Sequence, residues 1–290
     1  MQVTWHAWKT KREKIADGSS TRIVTKTVKE QAQGTRKVLA EEIITELQRV
    51  CRHIFNIRNQ YKVLHHLKND LKDDEVVAHI DFSENYTCKY AEEIQSMHFG
   101  GSRRLLSLHT GVLYTNEGPT SFCSVSDCLR HDPAGIWGHM HPVLNYIQTQ
   151  QKRTVIHFIS DGPTTQYRNK NNFYLWGRTL SECGFKASTW NFLESAHGKG
   201  AADGVGAAVK RAADDHVVVK KNDITCAKDF IGLLGQQQNT KVKLFLVDET
   251  AIQALDKQIP EKLRPIPSTM KIHQVRFKQI TNYCKNYYFK

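Results

Sequence analysis

Residues 75–86 read EVVAHIDFSENY. Val76, Val77, Ala78 and Ile80 form a short apolar run of high β propensity that ends on an acid, Asp81, where the chain turns polar. Residues 153–162, RTVIHFISDG, repeat the arrangement and end on Asp161. Neither run alternates as a half-exposed strand does, so both read as buried central strands. Placed side by side and parallel, they would open their carboxyl ends at the same sheet edge, where ligands bind in open α/β sheets. Two carboxylates would then meet in one crevice.

The elements around these strands follow from the pattern of apolar residues and breakers. Residues 1–34 are polar and basic with no sustained apolar period, and they read as a flexible basic arm. From 35 to 73, Val38, Ile43, Leu47, Val50, Ile54 and Ile57 recur at helical spacing without proline or glycine, giving one long helix or a helical pair. Residues 103–115 and 120–127 flank NEGP as a hairpin with a four-residue connection. Asp132-Pro133 has the form of an N-cap followed by proline at the first helical position. A helix over 173–183, a strand over 185–194 and a helix around 205–213 complete a core spanning 74–217, in which alternating strands and helices imply parallel crossovers beside an antiparallel hairpin. Residues 218–290 read as a separate basic α/β appendage and tail.

Length, 290 residues, and a hydrophobic share of 40% suit a globular chain. No apolar run reaches the roughly twenty residues of a membrane span, and the N-terminal MQVTWHAWKTKREK is not a secretory leader, so an intracellular protein without a membrane partner is expected. The seven cysteines include no CxxC pair, which argues for reduced thiols and against a zinc module. The net charge of +12 divides into +8 over residues 1–72, −3 over 73–217 and +7 over 218–290. An acidic centre between basic flanks suits a metal-dependent enzyme acting on a polyanion.

The segments DFSENY, EEIQS, SDGPTTQYRNK, WNFLESAHGKGAADGVGAAVKR and KIHQV carry a resemblance over roughly residues 35–280. They resemble transposon-derived proteins of animal genomes and, more broadly, the RNase H-like DDE/DDD transposases and integrases. The resemblance implies an α/β fold with an RNase H-like mixed five-stranded sheet and flanking helices. It also implies a catalytic acid on the first strand, one in SDG and one at the HGKG loop-helix junction, which are Asp81, Asp161 and Asp203 here. Glu194 is the rival third acid. The implied activity is metal-dependent DNA strand cleavage or transfer, with RNA as another conceivable substrate, in a nuclear protein that assembles as a homo-oligomer. The alternative is a domesticated nucleic-acid-binding protein that keeps the fold without catalysis.

The chemistry agrees with that expectation. Three carboxylates sharing a site repel one another unless cations neutralise them, and two Mg²⁺ or Mn²⁺ ions would serve both the attacking and the leaving oxygen of a phosphodiester. The resemblance further implies that Asp81 would bridge the ions, with Asp161 and Asp203 completing one each. His197, Lys199, Arg168, Lys210 and Arg211 are candidates for phosphate or nucleic-acid contact, with Asn169 beside them. The glycines at 198, 200, 204 and 206 either let backbone approach phosphate or let a helix pack closely. Their spacing matches neither a P-loop nor GxGxxG, and Ser160 has no GxSxG context, so nucleotide-cofactor and serine-hydrolase classes are set aside.

Overall fold

The computed structural model describes residues 1–17, 20–94, 103–194, 200–236, 241–279 and 288–289. The chain divides into two compact units, Met1–Arg58 and Asn59–Lys290.

In the first unit, β1 (Gln2–Asp17) and β2 (Ser20–Thr35) pair antiparallel along their whole length, with Gln2 opposite Thr35 and Asp17 opposite Ser20. The elementless arm expected over 1–34 is thus a β-ribbon. Its signal was hidden because the apolar alternation of Val3, Trp5 and Ala7 gives way, on the same face, to the ion pairs Lys11–Glu30 and Lys26–Glu13. Cross-strand pairs of opposite charge stabilise a ladder as apolar pairs do, yet leave no hydrophobic period. α1 (Arg36–Asn69) follows as a single helix. The Trp5 indole donates to Glu42 at 2.9 Å, while Ile43, Ile44, Leu47, Val50 and Ile54 remain exposed.

The second unit takes up the end of α1, where Leu64 is buried with Val77, Ile159 and Leu193. Its strands and helices run β3 (Glu75–Thr87), β4 (Leu105–Thr115), β5 (Gly118–Ser126), α2 (Pro133–Tyr146), β6 (Val155–Ser160), α3 (Lys170–Glu182), β7 (Ala187–Phe192), α4 (Ala201–Val218), α5 (Ala227–Gly235), β8 (Val242–Leu246), α6 (Glu249–Asp256), β9 (Gln274–Lys278) and β10 (Tyr288–Phe289). One mixed sheet results, in the order β10-β9-β7-β6-β3-β4-β5-β8, its outermost strand only two residues long. β3, β6 and β7 are mutually parallel neighbours, and β4 lies antiparallel between β3 and β5.

Three expectations are corrected here. The sheet has more than five strands, because β8 pairs parallel with β5 and β9 pairs antiparallel with β7. Residues 218–290 therefore complete both edges of the central sheet and do not stand apart as an appendage. Unpaired edges of a sheet this apolar would be exposed templates for other chains. The hairpin connection is also shorter than expected. Thr115 pairs with Gly118, leaving Asn116 and Glu117 as the turn, and Gly118 takes a φ of +124° that L side chains rarely adopt.

Both faces of the sheet are covered. Trp137, Trp176 and Trp190 fill the layer under α2, α3 and α6 with no more than 1% exposure, each far larger than the voids a packed core tolerates. The indoles of Trp137 and Trp190 donate to Asn172 Oδ1 at 2.8 Å and Ser160 Oγ at 2.9 Å. α2 begins as its sequence indicates, with the Asp132 carboxylate accepting from Gly135 N at 3.0 Å and Pro133 in the first turn. On the opposite face, α4 and α5 bury Val205, Val209, Ala213 and Phe230 against Leu106, Leu108 and Val125.

Candidate functional site

Register brings the first two acids together. β3 and β6 run parallel with Val77 beside His157 and His79 beside Ile159; carried two residues further, the same register sets Asp161 level with Asp81. Adjacent strands lie about 4.8 Å apart, so Asp81, within β3, and Asp161, just past the end of β6, come from neighbouring positions of the sheet. Asp81 shares a face with Ser83 by strand alternation, and that face is the one α4 covers.

α4 brings the third acid. A Cβ added at Gly206 would stand 2.5 Å from Ser83 Oγ and 2.9 Å from Ser83 Cβ, and one at Gly200 would stand 2.7 Å from the His79 ring. These two glycines let the helix lie directly on β3, so helix packing is their role in the structure. Gly204 has open space where a Cβ would go. The Thr110 hydroxyl sits 3.3 Å from Asp81 O and 3.0 Å from Ala202 O, and so ties the start of α4 to the sheet beside Asp81. Asp203 lies in the first turn of the helix so seated.

The electrostatics record this convergence. Burial, reinforced by the charges of Asp161 and Asp203, pushes the Asp81 carboxyl up to about 7. Asp161 is also raised, chiefly by burial, with Asp203 adding to the shift and Arg168 opposing it. Asp161 Oδ1 is buried without a hydrogen-bond partner. A buried carboxylate oxygen lacking any donor is costly, and a divalent cation is one group that would satisfy it. The donor set is wholly carboxylate oxygen, the chemistry preferred by Mg²⁺ and Mn²⁺. Even so, no group of three His, Cys, Asp or Glu among the described residues stands close enough to hold an ion as arranged. The Asp203 carboxylate accepts from Gly200 N at 2.9 Å and so caps its own helix. Turned onto an amide donor in this way, Asp203 is kept from the closest approach to two other carboxylates, which cation-free repulsion would penalise.

The other expected site residues divide sharply. Glu194 has its carboxylate 3.8 Å from His273 Nδ1, and its charge, like that of Asp161, is felt by Arg168. The influences on Asp81 and Asp161 name Asp203 and not Glu194, which favours Asp203 as the third acid. Arg168 does not face substrate. It is 4% exposed, with Nε donating to Gly162 O at 2.6 Å and Nη1 to Met270 O at 2.9 Å, so its guanidinium is spent bridging the Asp161 loop to the segment before β9. Asn169 is likewise structural, capping α3 by accepting from Asn172 N at 2.9 Å. Lys210 lies on α4 two turns beyond Asp203 and reaches Glu84 O at 3.4 Å, and Arg211 beside it is exposed. His197 and Lys199 lie outside the described residues.

Tyr167 was not singled out from sequence. Its buried hydroxyl lies 3.4 Å from His109 Nε2, and its pKa is driven well above the usual phenol range by burial and by the charges of Asp81 and Asp161. A neutral phenol thus lies within electrostatic reach of both acids. The only local signal was an aromatic residue inside the polar stretch TTQYRNK.

Residues 60–287 match a family described as a domain of unknown function (DUF8701), and the chain belongs to that family. No curated protein and no solved structure matches the chain. No helix among the described residues is long and apolar enough to cross a membrane.

Proposed function

We propose that the second unit is an RNase H-like core that cleaves or transfers DNA strands using two Mg²⁺ or Mn²⁺ ions held by Asp81, Asp161 and Asp203. The observation that carries this reading is the parallel register of β3 and β6, which two residues past its last pair would set Asp161 level with Asp81, together with the charge of Asp203 on α4 acting on both. The succession of β3, the β4–β5 hairpin, and then β6 and β7 on the other side of β3 also supports it. When bound, the ions would polarise the scissile phosphate and lower the pKa of the attacking water or 3′-hydroxyl. Asp81, which feels the charges of both Asp161 and Asp203, would be one of the residues holding the ions. Asp161 would offer its unpartnered Oδ1, and Asp203 would exchange its cap for a ligand role. Nuclear location and a DNA partner belong to the same reading.

The cap made by Asp203 favours a second reading, in which the fold persists as a nucleic-acid-binding module without catalysis. Nicking of supercoiled plasmid separates the two. The catalytic reading predicts cleavage that requires Mg²⁺ or Mn²⁺ and falls at least a thousandfold in Asp161→Asn, with the unfolding midpoint retained. DNA retention without metal-dependent nicking by the wild-type chain would support the binding module instead.

A further inference from the structure

The β1–β2 ribbon has two chemically distinct faces. Because partners in the ladder share a face, Thr4 to Lys14 at even positions lie with Ile23 to Gln33 at odd positions. The opposite face, bearing Val3, Trp5 and Ala7, is partly buried and carries both Glu13 and Glu30 in ion pairs with Lys26 and Lys11. The first face holds no carboxylate. Arg12, Lys14 and Lys29 supply its cations, and between them stand Thr10, Thr25 and Thr27. Every described residue of that face is exposed, Trp8 at 72%.

Such a surface lacks what an apolar core or a protein of mixed charge would need. It presents cations at a strand's spacing, hydroxyl groups able to donate or accept, and a bare indole. We infer that this face is a binding surface for duplex DNA, with the ribbon lying in the major groove. The groove is about 12 Å wide and admits a two-stranded β-ribbon. Sixteen-residue strands extend for about 50 Å, more than one helical turn of duplex. Arg12, Lys14 and Lys29 would meet phosphates along the groove walls, and the threonines would face base edges. A-form RNA is excluded as an equal ligand, since side chains cannot read its deep, narrow major groove. The inference goes beyond strand cleavage and shares with it only the DNA partner: the ribbon lies in the first unit, outside the family match at 60–287.

Fluorescence anisotropy of a labelled duplex with the full-length chain in EDTA, over a series of salt concentrations, tests it without cleavage. The combined variant Arg12→Gln/Lys14→Gln/Lys29→Gln should bind at least tenfold more weakly. Its dependence of log affinity on log salt should be shallower by about 2 to 3, near 0.9 for each phosphate contact removed. The charge-neutral variant Lys11→Gln/Glu30→Gln, on the other face, should bind as the wild type does. Duplex binding should quench part of the tryptophan emission, and Trp8→Phe should remove that component. Unchanged affinity and salt slope in the triple variant would overturn the inference, as would equal affinity for double-stranded RNA. Absence of nicking activity would leave it standing.

Discussion

Asp81→Asn should make the protein more stable at pH 8 in EDTA, raising the melting temperature of the second unit by about 4–8 °C. The pKa of Asp81 in the folded state, about 7, lies above the ordinary carboxylate value. The folded protein therefore holds a proton that the unfolded chain has released between about pH 4 and pH 7. Stability is lost as pH rises through that window, and the loss is complete above it. An amide carries no charge to desolvate and none to repel Asp161 or Asp203. A gain of about 2 kcal/mol allows for partial solvent access, and in a unit of this size each kcal/mol moves the melting temperature by about 2–4 °C. Below pH 4 both states are protonated, so the advantage should vanish. Calorimetric scans of the two proteins from pH 4 to 8 decide the matter. A variant less stable than wild type at pH 8 would mean that the acids do not oppose one another.

Gly206→Val should damage the site without touching an acid. Its new Cβ would overlap Ser83, whose short side chain is anchored on β3, so α4 must lift. Asp203 lies one turn earlier on that helix and would move with it. Misplacement by about 1 Å typically costs on the order of a hundredfold in rate, and the overpacking itself about 1–3 kcal/mol of stability. Metal-dependent nicking by Gly206→Val should accordingly fall about a hundredfold. Gly204→Ala, made where a Cβ meets open space, should keep full activity and gain about 0.5–1 kcal/mol from helix propensity. Equal nicking rates in the two variants would refute the idea that α4 seating positions Asp203.

How far these features were legible depended on whether their cause was local. The strands carrying Asp81 and leading to Asp161 could be read because unbroken apolar runs signal burial on both faces, although β3 continues past Asp81 to Thr87, where its pairing with β4 sustains a polar stretch. The Asp132-Pro133 helix start could be read because capping lies within one turn. The ribbon could not, since Lys11, Lys26, Glu13 and Glu30 interrupt the apolar positions of the face they share with Val24 and Val28. Arg168 misled for another reason: its acceptors, Gly162 O and Met270 O, include a backbone group from a distant segment, and nothing beside Arg168 in sequence announces it. The same distance hid the roles of β8 and β9, whose partners β5 and β7 are remote in the chain. Tyr167 shows the limit most clearly, because it feels the charges of two acids that belong to other segments.

Anomalous diffraction from crystals of the protein soaked in Mn²⁺ tests the central claim most directly. Two peaks should appear between Asp81, Asp161 and Asp203, with Asp203 turned away from Gly200 N and Asp81 touching both ions. Crystals that bind Mn²⁺ elsewhere while these three carboxylates stay unliganded would contradict it.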